Sequence, residues 1–96
     1  MIEVRQTETF ARWFARLRDR RAQRRVQARI DRLQIGNAGD VRPVGEGVLE
    51  MRIDYGPGYR VYFVQRGVAL VILLAGGDKG TQPQDIVLAH KLARDL

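Results

Sequence analysis

Apolar and polar residues alternate most regularly in the middle of the chain. The alternation runs from Leu49 to Ile53 and again from Arg60 to Val64, which is the pattern of strands with one face in the core. The segment 55–58 between them is Tyr-Gly-Pro-Gly. It combines a proline of fixed φ with two glycines that accept positive φ. The pattern therefore predicts a β-hairpin.

The side chains of this hairpin restrict how its strands can pair, because cross-strand partners lie on the same face of a sheet. Pairing Asp54 with Arg60 keeps apolar residues opposite each other and leaves a loop from Tyr55 to Tyr59. Arg52 and Tyr62 are then paired and share a polar face with Arg60. This face is either an anion-binding surface or a solvated surface on which neighbouring carboxylates neutralise the arginines.

The first third of the chain predicts a short strand over residues 2–6 and two amphipathic helices. Thr7 or Thr9 can cap the first helix, and residues 18–21 form a polar joint before the second. Apolar side chains recur at helical spacing in both segments, which predicts a helical hairpin packed on the core. These side chains are Phe10, Trp13, Phe14 and Leu17, followed by Ala22, Val26, Ile30 and Leu33. The aromatic stripe could alternatively stack on bases, but core packing is the commoner role.

The last two thirds of the chain add strands and a final helix. Residues 41–44 predict a short strand with Pro43 at a sheet edge, and the fully apolar run 68–75 predicts an internal strand. Residues 76–80 predict a flexible glycine loop, and residues 81–84 match a capping box that begins the last helix. The order β-α-α-β-β-β-α predicts one α+β domain over residues 1–96. In it, a helical hairpin packs on a small, mainly antiparallel sheet with a C-terminal helix.

The net charge of +6 is concentrated in the first third of the chain. Residues 1–35 contain ten arginines and four acidic residues, whereas residues 36–96 contain seven basic and seven acidic residues. The outer face of the second helix carries Arg21, Arg24, Arg25, Arg29 and Arg32. Like charges four residues apart repel by a few tenths of a kcal/mol, about 0.3 per pair. This face is either a solvated surface or a binding surface for nucleic acid or an acidic protein.

The composition excludes several classes of site. The chain has no cysteine and one histidine, which excludes disulfides, thiolate metal sites and multi-histidine metal sites. We expect His90 to lie at the surface or to cap a helix. No signal-peptide pattern opens the chain, and its longest apolar run is too short to span a bilayer. We therefore expect a cytoplasmic protein that needs no cofactor.

A set of short motifs is distributed over nearly the whole chain. They are Asp31-Arg32-Leu33, Gly36-Asn37, Gly39-Asp40-Val41, Gly45-Glu46-Gly47, Glu50-Met51-Arg52-Ile53, Gly56-Pro57-Gly58-Tyr59-Arg60-Val61-Tyr62 and Leu74-Ala75-Gly76-Gly77-Asp78-Lys79-Gly80. Together with the element order, they resemble the RelE/ParE superfamily of toxins and, within it, the HigB-like branch of addiction module killer proteins. The resemblance implies a RelE/ParE-like fold and the toxin of a type II toxin–antitoxin system.

The resemblance also implies an activity, partners and catalytic residues. Messenger-cleaving members are metal-independent endoribonucleases that cut mRNA on the ribosome, inhibit translation and arrest growth. The implied partners are a cognate antitoxin of the helix-turn-helix type, the ribosome with its mRNA, and operator DNA through the antitoxin complex. Arg60 matches a catalytic arginine of the Gly-x-Tyr/Phe-Arg strand, Arg52 lies near the basic residues of the preceding strand, and Lys79 matches a basic loop position. Asp85 and Ile86 stand near a catalytic tyrosine position, so the chain departs from the pattern there.

The chemistry of RNA cleavage agrees with these three cations. Attack of a ribose 2′-OH on the adjacent phosphate builds negative charge, which Arg52, Arg60 and Lys79 could stabilise; loss of one donor would cost about 3 kcal/mol. The base stays open among Glu50, Asp54, Tyr59, Tyr62 and Asp78. We expect RNA or ribosome contacts from Arg21, Arg25, Arg29, Tyr59 and Tyr62. The alternatives are a non-nucleolytic gyrase inhibitor and an inert module that acts only as a DNA-binding co-repressor with its antitoxin.

Overall fold

Three helices cover the two faces of a five-stranded sheet in the computed structural model, which describes residues 1–96. The elements are β1 (Glu3–Gln6), α1 (Glu8–Ala15), α2 (Arg20–Gln34), β2 (Val41–Pro43), β3 (Leu49–Ile53), β4 (Tyr59–Arg66), β5 (Leu70–Asp78) and α3 (Gln82–Arg94). The strand order is β1-β5-β4-β3-β2. Only β1 and β5 pair in parallel, so the sheet is mixed. The predicted α+β class is confirmed, although four strands follow the helical hairpin where the predicted order has three. The strand β2 with Pro43 lies at an edge as expected.

The helical hairpin forms as the apolar stripes predict. The Thr7 hydroxyl accepts a hydrogen bond from the Phe10 amide at 3.0 Å and caps α1. The Asp19 carboxylate accepts from the Arg21 amide at 2.9 Å and caps α2. Phe10 is buried with its ring centroid 5.6 Å from that of Trp13, so the aromatic stripe packs in the core. The second stripe is also buried at Ala22, Val26, Ile30 and Leu33.

The sheet separates two apolar clusters, and each cluster has its own helix layer. One lies under α1 and α2 and includes Phe10, Val26, Ile30, Leu33, Met51, Ile53, Val61, Phe63, Val71 and Leu73. The other lies under α3 and consists of Val48, Tyr62, Val64, Leu74, Ala75 and Ala89. Both faces of the central strands are therefore buried, including the face that the alternation predicts to be polar. No helix is both long enough and apolar enough to cross a membrane.

The pairing of β3 with β4 differs by two residues from the predicted register. Arg52 lies opposite Arg60, and Ile53 lies opposite Tyr59, whereas we predicted Asp54 opposite Arg60. The loop lies one residue earlier than predicted, at residues 54–58, where the Gly58 amide donates to the Tyr55 carbonyl at 3.1 Å. A shift of two residues preserves side-chain parity. Arg52 and Arg60 therefore do share a face of the sheet.

The predicted glycine loop 76–80 is wrong, because β5 continues through Gly76 and Gly77 to Asp78. A bulge at Leu74 sets the faces of this last stretch, since Tyr62 pairs with Ala75 and Phe63 with Leu73. A Cβ atom on Gly76 would lie 2.2 Å from Trp13 Cε3, and one on Gly77 would lie 1.8 Å from Asp85 Oδ2. The two glycines are needed because helices approach the strand closely from both sides.

The start of α3 also differs from the predicted capping box. Thr81 is the N-cap residue, but its side chain makes no cap hydrogen bond. Its hydroxyl instead donates to Asp85 Oδ2 at 2.5 Å. The Asp78 carboxylate accepts from the Gly80 amide at 2.8 Å and caps the short 3-10 turn Lys79–Thr81. The turn carries Lys79 to the closed end of the hairpin, next to Gly58.

Candidate active site

A cleft of about 410 Å³ lies beside the turn that joins β3 to β4. All three cations predicted to be catalytic line it: Arg52 from β3, Arg60 from β4 and Lys79 from the turn before α3. Two carboxylates, Asp40 and Asp54, complete the charged wall. Residues 56–58 of the hairpin turn form the rest of its rim. The fold thus brings together side chains that are up to 39 positions apart in the sequence, since 79 − 40 = 39.

Arg60 is the most unusual residue of the cleft, because it is a buried cation without a carboxylate partner. The residue is 6% exposed, its Nε atom has no hydrogen-bond partner, and it takes part in none of the five ion pairs. A buried guanidinium without an acceptor destabilises a fold. The alternative in which neighbouring carboxylates neutralise Arg60 on a solvated surface is therefore wrong, and an anion in the cleft would supply the missing acceptor.

Arg52 also has an unfilled donor next to the cleft. Its Nε atom is buried and has no hydrogen-bond partner, and Glu50 Oε1 lies 3.9 Å away, beyond hydrogen-bond distance. Glu50 is itself only 1% exposed. Its carboxylate accepts from the Tyr62 hydroxyl at 3.0 Å and from Gln82 Nε2 at 2.8 Å. Glu50 is thus engaged in a buried hydrogen-bond network. This engagement argues against Glu50 as the general base.

Neither of the two tyrosines predicted to bind RNA lines the cleft. Tyr62 is 0% exposed under α3. Burial, together with its hydrogen bond to Glu50, raises the pKa of the Tyr62 hydroxyl. The prediction that Tyr62 contacts RNA is wrong, because α3 covers the face that the alternation predicted to be polar. Tyr59 points to the opposite face from Arg60, with its ring edge-on to Trp13 at 6.3 Å, so its predicted RNA contact gains no support.

Arg29 supports the cleft from behind. Its Nη1 atom donates to the Arg52 carbonyl at 2.6 Å, and its Nη2 atom donates to the Ala38 carbonyl at 3.0 Å. Burial lowers the pKa of the Arg29 guanidinium. Backbone carbonyls occupy two of its nitrogens, yet the half-buried side chain also lines a surface depression beside the cleft, so the RNA contact of Arg29 stays a prediction. Arg21 and Arg25 are exposed, as predicted.

Sequence reasoning missed Asp40 as a cleft residue. Its carbonyl accepts from the Arg52 amide at 3.0 Å, directly beyond the pair Val41–Met51 of β2 and β3. Pairing residues 41–44 with the hairpin across the turn at 45–47 would have placed Asp40 beside Arg52. The Asp40 carboxylate raises the pKa of the nearby Arg29, partly offsetting the effect of burial.

The hairpin turn that rims the cleft is tied to α2. The Tyr55 hydroxyl donates to Asp19 Oδ2 at 2.8 Å, and the Arg25 guanidinium lies over the Tyr55 ring at 4.9 Å. The Tyr55 hydrogen bond is the main cause of a lowered pKa of Asp19, and the same bond raises the pKa of Tyr55. The cleft can therefore hold an anion between a braced turn and two arginines. No group of three or more His, Cys, Asp or Glu side chains is arranged to hold a metal ion.

Comparison with known proteins corrects the resemblance drawn from the short motifs. The model of the family described as "Phage derived protein Gp49-like (DUF891)" matches residues 12–93. An uncharacterized protein of Haemophilus influenzae (strain ATCC 51907 / DSM 11121 / KW20 / Rd) is 50% identical over 95 residues, which cover 99% of this chain and 96% of that protein. The assignment to the RelE/ParE superfamily and its HigB-like branch is wrong, because the matching family is a distinct one. Members of this family are commonly the toxins of toxin–antitoxin systems, so a toxin role agrees with the family of this chain. The chain belongs to the Gp49-like family of phage-derived proteins.

Proposed function

We propose that this chain is the toxin of a type II toxin–antitoxin pair and a metal-independent endoribonuclease that cuts mRNA on the ribosome. Family membership supports the toxin role. The observation that carries the nuclease activity is the buried, unpaired guanidinium of Arg60 in a cleft with Arg52 and Lys79. Such a set of fixed donors suits a phosphoryl group that gains negative charge in the transition state.

The proposed reaction uses the RNA itself as nucleophile. The ribose 2′-oxygen attacks the adjacent phosphorus, and the bond from phosphorus to the 5′-oxygen breaks. The products are a 2′,3′-cyclic phosphate and a 5′-hydroxyl end. Arg52 and Arg60 donate hydrogen bonds to the non-bridging oxygens, and Lys79 gives a proton to the leaving 5′-oxygen. A positioned donor of this kind contributes about 3 kcal/mol of transition-state stabilisation.

Asp54 is the base of this mechanism, since it takes the proton of the 2′-hydroxyl. Both Asp40 and Asp54 line the cleft, but the Asp40 charge acts on the neighbouring Arg29 guanidinium. Asp54 is exposed and forms no ion pair. Asp40 forms no ion pair either, so the choice rests on the Arg29 guanidinium on which the Asp40 charge acts.

The proposal includes the partners expected of such a toxin. A small helix-turn-helix antitoxin would hold the protein inactive, and the ribosome would present the mRNA. Operator DNA would be bound only through the antitoxin complex. Co-purification of this chain with the product of the neighbouring gene tests the first partner. Growth arrest upon expression without that product tests the toxin role.

Single-turnover cleavage of mRNA on programmed ribosomes tests the reaction. The variant is Arg60→Gln, which keeps part of the side-chain volume, since truncation of a buried residue to alanine would leave a void. The matched control is Arg66→Gln, an exposed arginine on the same strand and outside the cleft. We expect cleavage to fall about a hundredfold for Arg60→Gln and to stay unchanged for Arg66→Gln. Growth arrest without any cleavage by the wild type would overturn the nuclease assignment and favour a gyrase assay next.

A further inference from the structure

The cleft continues into a series of surface depressions along α2. The first, of about 250 Å³, shares Ile53 and Asp54 with the cleft. Its other side is formed by four residues of the helix: Arg25, Ala28, Arg29 and Arg32. The next, of about 450 Å³, shares Arg25 and Ala28 with it. The shared lining residues make these depressions neighbours, so a groove leads from the candidate active site onto the arginine face of α2.

The groove ends between α2 and the segment that follows α1. Its last depression, of about 620 Å³, shares Arg24 with the preceding one and adds Arg18 and Arg20. Seven arginines thus line the groove beyond the cleft: the half-buried Arg29 and six exposed ones, whose surface we call the arginine track. Its members are Arg18, Arg20, Arg21, Arg24, Arg25 and Arg32.

The arginines of the track form no ion pair with any carboxylate of the protein. None of the five ion pairs includes a track residue, whereas Arg5 and Arg12 of the same third of the chain are paired. Three acidic residues lie nearby, and one of them, Asp54, lines the first depression without forming an ion pair. Asp19 caps α2 and accepts from Tyr55, and Asp31 accepts from Gln27 Nε2 at 2.9 Å. The track is therefore a strip of unpaired positive charge.

We propose that the arginine track binds the phosphates of a single RNA strand that extends from the cleft. The identity of this strand as the one being cut rests on the proposed function. Phe14 and Leu17 line only the last depression, and Ala28 is the one apolar residue of the two depressions nearer the cleft, beyond the cleft wall. A docked protein helix would need apolar anchors there, whereas a phosphate chain needs arginine donors. The 15 residues of α2 span about 22 Å, which is the length of about six stacked nucleotides.

Binding of an uncleavable 2′-O-methyl RNA strand, followed by fluorescence anisotropy, tests the track. The track variant combines Arg21→Gln, Arg24→Gln and Arg32→Gln. The matched control combines Arg5→Gln, Arg12→Gln and Arg66→Gln, which removes the same charge outside the track. A strand of about twelve nucleotides is compared with one of about three, over about 50 to 200 mM salt.

We expect the track variant to bind the long strand at least about tenfold more weakly than the wild type does. The slope of the logarithm of the binding constant against the logarithm of the salt concentration should flatten by about 2, since each phosphate contact contributes about 0.7. The control should change both much less. Three results would overturn the proposal. They are equal losses of RNA affinity for the two variants, equal binding of the long and the short strand, and an equal effect of the track variant on the binding of a polyglutamate of matched charge. Track-dependent binding without cleavage by the wild type would refute only the nuclease function. Cleavage with unchanged binding would refute only the track.

Discussion

Arg52 and Arg60 lie directly opposite each other on β3 and β4, and each has a buried Nε atom without a hydrogen-bond partner. Like charges at paired positions of a sheet repel each other, and burial strengthens the repulsion because it excludes water. No carboxylate of the protein satisfies the two Nε atoms. An anion bound between them would relieve both costs, so the pair fits the proposed anion-binding role of the cleft.

The first prediction is that inorganic phosphate stabilises the protein through this pair. A ligand that binds only the folded state at ten times its Kd adds about 1.4 kcal/mol to the free energy of unfolding. We expect phosphate to raise the Tm of the wild type and of Arg66→Gln, and to leave the Tm of Arg60→Gln nearly unchanged. Differential scanning fluorimetry in phosphate and in chloride of equal ionic strength measures this. An equal rise in all three proteins would show that the effect is a general one of salt.

The second prediction concerns the two carboxylates of the cleft. Asp54→Asn should slow cleavage by about 10² to 10⁴, the usual contribution of a general base. Asp40→Asn should slow it less, because the Asp40 carboxylate acts on Arg29. Single-turnover rates at saturating ribosome measure the chemical step, and circular dichroism checks that both variants are folded. A larger loss for Asp40→Asn would reverse the assignment of the base.

The third prediction is that Gly77 permits α3 to dock. An added Cβ atom would lie 1.8 Å from Asp85 Oδ2, so Gly77→Ala must displace the helix or its carboxylate. Overpacking of this kind costs about 1 to 3 kcal/mol, which denaturant titration measures. The double variant Gly77→Ala with Asp85→Ala should recover part of the loss, because the clashing atoms are removed. Failure of the second change to recover any stability would place the strain elsewhere.

The elements of the fold could be predicted because each depends on local periodicity. The stripes that begin at Phe10 and Ala22 identify both helical faces, and parity places Arg52 and Arg60 on one side of the sheet in either register. The short motifs misled the family assignment for a related reason. Glycine-containing segments such as 45–47 and 56–58 report tight turns, which many small α+β proteins share.

The burial of the cleft side could not be predicted, because it depends on long-range partners. Glu50 reads as an exposed residue of an amphipathic strand, yet its carboxylate is bound by Gln82, 32 positions away. Arg29 reads as part of a solvated helix face, yet it donates to the carbonyl of Arg52, 23 positions away. Neither contact leaves a periodic signal in the sequence. The alternation of a strand predicts that its polar residues face away from one helix layer. It does not predict whether a second helix layer covers them.

The last prediction is a pH dependence of stability that arises from Asp85. Burial, together with the nearby Asp78 charge, raises the pKa of the Asp85 carboxyl, although the Thr81 hydrogen bond opposes the shift. The folded state therefore binds the proton more tightly than the unfolded chain does. Stability contributed by this group is lost as pH rises from its unfolded value of 3.8 through the folded pKa, and the ionised group destabilises the fold above that range.

Asp85→Asn should remove this loss, because asparagine stays neutral and can still accept from Thr81. We expect the variant to be more stable than the wild type at neutral pH, and the difference to shrink as the pH falls below 3.8, where Asp85 is protonated in both states. Urea denaturation at a series of pH values measures the difference. Asp31→Asn, an exposed carboxylate whose replacement can still accept from Gln27, is the matched control and should show no comparable pH-dependent gain. A wild type that becomes more stable than Asp85→Asn as pH rises would mean that the ionised carboxylate stabilises α3, and that the Thr81 hydrogen bond outweighs burial.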